Sequence, residues 1–172
     1  MTEIKYDLAC GNNKQAGWTG IDLKKEGTQA DIEFDLETYP WTFAEDNSVD
    51  ELYCSHYVEH TADLIKFMDE CYRILKPQGK LTIIAPYYSS MRAWQDPTHK
   101  RAICDATFLY FNKQWVNANN LQHYNIKSDF DFVTSYVMDI MWGSRSQEAR
   151  DFAIRYYWNV VSDIQVILTK RP

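Results

Sequence analysis

Tyr6-Asp7-Leu8-Ala9-Cys10-Gly11-Asn12-Asn13, followed by Gly20-Ile21-Asp22-Leu23, is the part of the chain that decides the fold. The first stretch is an apolar strand that runs into a small-residue turn. The second is a short apolar run that ends in an acid. A chain leaving a parallel strand at its carboxyl end must turn sharply and let a ligand approach the backbone. Gly11 removes the side chain that would block that approach. Asp22 can accept two hydrogen bonds from a ribose diol. Turns use the same residue types, so the rest of the chain must carry the same reading.

Outward from this point the pattern alternates. Ile4 to Ala9 reads as a buried strand, Trp18 to Leu23 as a second and Ile32 to Leu36 as a short third. Val49 to Cys54 is a fourth, entered through Asp46-Asn47-Ser48. Thr61 can cap a helix, with Asp63 in its first turn to suit the dipole. Leu64, Met68, Cys71 and Leu75 then recur at helical spacing, and Pro77 and Gly79 stop the helix. Lys80 to Ala85 is a fifth strand, expected to be buried on both faces. Strands joined by such crossovers imply a parallel sheet.

After Pro86 the pattern changes. Tyr87 to Arg101 is polar and aperiodic, and long loops in compact domains are often functional. Ala106 to Phe111 reads as a short helix. Phe130 to Ile140 and Trp158 to Leu168 alternate. Joined by the polar Gly143 to Arg150 segment, they read as an antiparallel hairpin closing the sheet edge.

Bulk properties narrow the function. At 172 residues the chain is most simply one domain, residues 1–172. Net charge is −6 and Lys and Arg form no block, which argues against nucleic acid or an anionic membrane as partner. Cys10, Cys54, Cys71 and Cys104 form no Cys-x-x-Cys pair. The start, Met1-Thr2-Glu3-Ile4-Lys5, lacks the basic-then-apolar pattern of a signal peptide, and no apolar run is long enough to span a bilayer. A cytoplasmic protein with reduced thiols is expected. Aromatic residues reach 15%; some are expected to line a pocket or a subunit contact.

Five motifs follow one another in order. Asp7 and Gly11 stand at the first strand, Asp22 after the second and Asp35-Leu36 at the third. Asp50 leads through Ser55-His56 to Glu59-His60 at the fourth, and Arg73-Ile74-Leu75-Lys76-Pro77-Gln78-Gly79-Lys80-Leu81 leads into the fifth. In this order the chain resembles the class I S-adenosylmethionine-dependent methyltransferases, from residue 4 to about residue 112, with the hairpin as the family's sixth and seventh strands. Gln95-Asp96-Pro97-Thr98-His99 is similar to a loop of the subgroup found near surface-polysaccharide genes. The resemblance implies an α/β, Rossmann-like, mostly parallel sheet with a C-terminal antiparallel hairpin.

It also implies an enzyme that uses S-adenosylmethionine to methylate a small molecule or saccharide. The cofactor-binding residues so implied are Asp7, Ala9, Gly11, Asp22, Leu23, Asp35, Leu36, Ser55 and His56. For catalysis, His99 is expected to act as base, oriented by Asp96, because the long loop should face the methyl group. His123 and Tyr88 are weaker candidates. A module that keeps the cofactor pocket but not the chemistry is the alternative.

The chain departs from the family at three points. Ala9 takes the place of the first glycine and Asn13 that of the third. Gly11 to Ile21 is too short for a full crossover, which rarely falls below about 10–12 residues. The helix after strand one is therefore expected to be stunted or absent, and the N-terminal helices reduced. The sheet surface this leaves must be solvated, capped by Phe108 to Tyr124, or buried against a second copy. Trp and Tyr are typical interface anchors, so a homodimer is favoured. Finally, His56-Tyr57-Val58-Glu59-His60 has the H-x-x-E-H form of the inverted zinc proteases. It sits at a strand end inside the methyltransferase series, and no motif supplies a third ligand beyond a distant acid such as Glu148. No metal is expected.

Overall fold

The computed structural model describes residues 3–172; Met1 and Thr2, where the N-terminal reading starts, lie outside the described residues. Seven strands form one sheet in the order β3-β2-β1-β4-β5-β7-β6. They are β1 (Lys5–Leu8), β2 (Thr19–Asp22), β3 (Ile32–Glu33), β4 (Val49–Ser55), β5 (Leu75–Pro86), β6 (Phe130–Met138) and β7 (Val161–Lys170). The first five are mutually parallel. β7 runs antiparallel to both β5 and β6. The α/β reading with two antiparallel C-terminal strands therefore holds.

Chain order reverses between β1 and β4, which are neighbours in the sheet. In open parallel sheets that switch point leaves a crevice outside the strands' carboxyl ends, where ligands bind.

One face of the sheet carries the core. Leu8, Ile21, Leu52, Cys54, Leu81, Ile83, Ala85, Val166 and Leu168 point to it and are buried. The 11-residue helix α1 (Leu64–Ile74) packs on it through Phe67, Met68, Cys71 and Ile74, a stripe close to the one expected. Its N-cap is Asp63, which accepts from the Lys66 N–H, not Thr61. It passes straight into β5 at Leu75, so Pro77 and Gly79 lie within the strand rather than ending the helix. There β5 has a register shift against β4.

The opposite face is barer than the apolar run of β5 suggested. Tyr53, Thr82, Ile84 and Ile167 are only half-buried, and Val133 is 65% exposed. The aromatic segment does not cover this side. Phe108, in a 3-10 turn at Asp105–Phe111, packs near Phe132, and Phe132 shares the core face with Phe130 and Leu168. Val116, on α3 (Lys113–Ala118), is buried as well.

Residues 9–18 contain no helix; they form turns closed by Asn13 N–H to Cys10 O (3.1 Å) and Trp18 N–H to Gln15 O (3.2 Å). A Cβ at Gly20 would meet Lys14 Cδ at 2.6 Å and Cys10 Sγ at 2.8 Å, so that glycine lets the turn lie flat on β2. The loop after β5 contains one short turn of helix, α2 (Arg92–Gln95). The β6–β7 connection is helical rather than irregular, with α4 (Ile140–Gly143) and α5 (Gln147–Tyr156).

Candidate cofactor site at the strand ends

Two adjoining cavities open at the carboxyl ends of β1, β2 and β4, and Ala9 lines both. The first is walled by Asp22, Leu23, Phe34, Asp35, Leu36 and Glu37, with Tyr57, His60 and Lys100 opposite. The second is walled by Asp7, Cys10, Gly11, Asn12, Asn13 and Gln15, with Tyr53, Ser55 and His56 opposite. All nine residues expected to bind a cofactor are thus brought together around one crevice.

Carboxylates at the strand ends shape this crevice. Asp22 Oδ2 accepts from the Gly11 N–H at 2.8 Å, and Oδ1 from the Leu23 N–H at 2.7 Å. Each oxygen keeps a lone pair for a ligand hydroxyl. Asp7 Oδ2 accepts from the Gln15 N–H at 2.7 Å. Burial holds the Asp7 carboxyl above its ordinary value. Burial, with Asp7 and Asp22 adding to it, pushes the Cys10 thiol up to about 11. Cys10 is therefore a packing residue, not a nucleophile.

Backbone strain gathers at the switch point. Ala9 has φ +52° and His56 φ +55°, so the residues ending two neighbouring strands both adopt a conformation that costs a side chain on the order of 1–2 kcal/mol. Ala9 thus performs the glycine's conformational task. At His56 the turn is held by its N–H donating to Ile84 O at 2.8 Å. Such strain clusters at functional sites.

His56 stands between two buried carboxylates. Its Nδ1 is 3.4 Å from Glu59 Oε1, and its Nε2 is 3.9 Å from Asp163 Oδ1. Neither of those oxygens has a hydrogen-bond partner. Asp163 Oδ2 is held by Arg92 Nη1 at 2.6 Å and by the Ser162 hydroxyl at 3.0 Å.

His99 and Asp96 line neither cavity. They line a recess beside Trp94 and Arg101 that adjoins the first cavity through Lys100, which lines both. His99 packs edge-on against His60, with centroids 4.7 Å apart, and Asp96 Oδ2 is 3.9 Å from its Nε2, too far to orient it. Asp96 instead accepts from the Thr98 hydroxyl (2.7 Å) and N–H (2.8 Å), which hold its carboxyl below its ordinary value. Tyr88, 41% exposed, and His123 lie outside both cavities.

Four site residues escaped the sequence reading. Glu37 Oε1 accepts from the Ala62 N–H at 2.8 Å and faces the Tyr57 hydroxyl at 3.4 Å. Lys100 is brought in by its N–H bond to Glu59 O at 2.8 Å. Asp163 is one acid inside an alternating strand. Of these, only Tyr57 lay within a motif that had drawn notice.

Residues 6–83 match the family model described as a methyltransferase domain. No curated protein sequence matches the chain. Among solved structures, a SAM-dependent methyltransferase from Archaeoglobus fulgidus is 18% identical, with a TM-score of 0.68 over 98% of this chain and 86% of that one. A putative methyltransferase from Haloferax volcanii, solved in complex with the Trm112 methyltransferase activator, is 17% identical, with a TM-score of 0.59 over 99% and 82%. A Haemonchus contortus phosphoethanolamine N-methyltransferase 2, in complex with S-adenosyl-L-methionine, is 17% identical, with a TM-score of 0.52 over 99% of this chain and 49% of that one. Sequence match and sheet topology agree: residues 6–83 are similar to a methyltransferase domain, and the chain has the fold of the class I S-adenosylmethionine-dependent methyltransferases.

Proposed function

We propose that this chain transfers a methyl group from S-adenosylmethionine to a small-molecule or saccharide acceptor. The observation that carries the proposal is the pair of cavities meeting at Ala9 at the switch point, with Asp22 and Asp35 lining one and His56 the other. Asp22 would hold the ribose diol, Asp35 and Leu36 would flank the adenine, and Asp7, Gly11 and Ser55 would surround the methionine end. The residues fit the cofactor chemically. Asp22 offers free lone pairs, and Ala9 presents only a methyl group between the two cavities. When bound, the cofactor supplies an electrophilic methyl group on a sulfonium.

The chain's own task is then to place an acceptor in line and take its proton. We assign the proton to His56 rather than to His99, because His56 lines the methionine-end cavity and His99 does not. With Glu59 beyond Nδ1, the ring proton belongs on Nδ1, leaving Nε2 to receive the acceptor's proton. Glu59 then stands where the carboxylate stands in carboxylate–histidine catalysis, and Asp163, on the Nε2 side, faces the imidazolium that forms. The absence of a helix between β1 and β2 favours a second reading, a module that binds the cofactor without turnover. Assaying methyl transfer across hydroxyl and amine acceptors separates the two: turnover supports the enzyme, and binding without turnover supports the module.

Asp22→Ala is expected to weaken S-adenosylmethionine binding by about 1.5–3 kcal/mol, the scale for hydrogen bonds to a charged group. Asp35→Ala should cost less. Calorimetric titration reads both, and an unchanged affinity for Asp22→Ala in a folded protein would remove the ribose assignment.

Self-association through the bare sheet face is supported by Tyr53, Ile84, Ile167 and Val133 sharing one side. Large exposed apolar patches are rare on monomers. Light scattering at micromolar concentration is expected to give twice the 20.3 kDa chain mass; a single-chain mass throughout that range would mean the face is solvated.

A further inference from the structure

Glu59 is 1% exposed, and neither of its carboxylate oxygens has a hydrogen-bond donor. Buried charges are normally paired or coordinate a metal. Among the described residues the one cationic candidate within 4 Å is His56 Nδ1, at 3.4 Å. Two other histidines close on the same carboxylate. Glu59, His60 and His99 each bring a ligating atom to within 4.8 Å of the others, the only such group found among the described residues.

The hydrogen bonds around the two rings assign their free nitrogens. His60 Nδ1 lies 3.0 Å from the Thr98 hydroxyl, whose own hydrogen goes to Asp96 Oδ1 at 2.7 Å. His60 Nδ1 is therefore the donor in that contact, and its Nε2 keeps a lone pair. His99 Nδ1 lies 3.0 Å from Ala93 O, a pure acceptor. His99 Nδ1 is the donor there too, and its Nε2 is also free. Metal-ligating histidines almost always donate their other N–H to a carboxylate, a backbone carbonyl or water. Here that outer arrangement is already built, through Thr98–Asp96 for one ring and Ala93 for the other.

We propose that Glu59, His60 and His99 bind one divalent transition-metal ion of the zinc type. Two imidazoles and one carboxylate suit such ions, and three protein ligands leave a fourth position for water or an acceptor oxygen. The ion would fasten the 96–99 loop to the turn between β4 and α1, beside the cavity that His60 and Lys100 line. It would also engage the unpaired Glu59 carboxylate while leaving one oxygen toward His56. This departs from the expectation of no metal, which weighed the His56 and His60 pair with a distant acid such as Glu148 as third ligand. The third ligand comes from the loop whose histidine had been assigned as a base. The inference stands apart from the methyl-transfer reading, since binding is measured without cofactor.

The test is titration of the chelator-stripped full chain with Zn²⁺, followed by elemental analysis after desalting. One equivalent is expected. His60→Ala and His99→Ala should lower its affinity at least tenfold, and Thr98→Val, which removes only the support for His60, should lower it roughly ten- to a hundredfold. His123→Ala should leave it unchanged. Glu59→Gln should abolish tight binding; where that variant fails to fold, His99→Ala and Thr98→Val carry the test. Co²⁺ in place of Zn²⁺ should give a visible ligand-field spectrum that His99→Ala removes. Absence of stoichiometric Zn²⁺ or Co²⁺ would overturn the proposal. So would binding that survives His99→Ala but is lost in His56→Ala, which would place the ion on the H-x-x-E-H pair instead.

Discussion

His56→Ala is expected to lower methyl transfer by about 10²- to 10⁴-fold, the contribution of a positioned acid–base group. The substitution is a clean probe. Alanine carries the same Cβ, so the left-handed strain at φ +55° is retained. The backbone cost should therefore be unchanged, and a folded variant should show the loss in turnover. Asp163→Asn should lower turnover less and should change the pH dependence of the rate, because it removes the negative charge facing the imidazolium. Rates are to be compared on an acceptor that the unsubstituted chain methylates. A folded His56→Ala protein with undiminished turnover would take the proton-transfer role from this residue and return attention to the 96–99 loop.

Trp41→Ala is expected to cost about 3–5 kcal/mol of folding stability, the range for deleting a buried aromatic side chain. Trp41 is 1% exposed. It stacks on Phe43, with centroids 5.4 Å apart, and meets the edge of Phe67 on α1 at 5.5 Å. Its indole N–H donates to Leu36 O at 3.0 Å, and its backbone is gripped by Glu70 (2.9 Å) and by Arg73 Nη2 (2.9 Å). This one residue bolts the long β3–β4 crossover to the core. Leu36 lines the cavity proposed to hold the cofactor, so the same substitution should also weaken cofactor binding. Chemical denaturation reads the first effect and calorimetric titration the second. A stability loss below about 1 kcal/mol would mean that the crossover is held elsewhere.

The sheet was legible in the sequence because its signals are local. Buried strands such as Leu81 to Ala85 are short apolar runs, and the turn at Gly11 and the acid at Asp22 lie within a few residues of the strands they end. What the sequence concealed was non-local. Asp63 rather than Thr61 caps α1 because the chain first completes a turn through Glu59 and His60. The half-bare sheet face was hidden because Thr82 and Ile84 look like core residues until it is known that no crossover helix returns over them. Helices α4 and α5 went unread because Gly143 to Arg150 looks like polar loop, although Ser146 caps α5 by accepting from Ala149.

The candidate site divides in the same way. Its cofactor residues follow strand ends, which sequence order reveals. Its acid–base and ligand residues do not. Asp163 reaches His56 only because β7 is inserted beside β5, and His99 meets His60 only because Lys100 and Arg101 pin the loop back onto the β4–α1 turn. Arg101 does so by donating to the carbonyls of Val58, Thr61 and Ala62. A polar loop with a histidine was expected to face the methyl group; folded, its Lys100 lines the cavity walled by Asp22, Asp35 and Leu36, and its His99 does not.

The most direct test of the central claim is calorimetric titration of the unsubstituted chain with S-adenosylmethionine and with its demethylated product. One site per chain that accepts both ligands, weakened in Asp22→Ala, is the predicted result. Failure of a folded chain to bind either ligand at millimolar concentration would contradict the account.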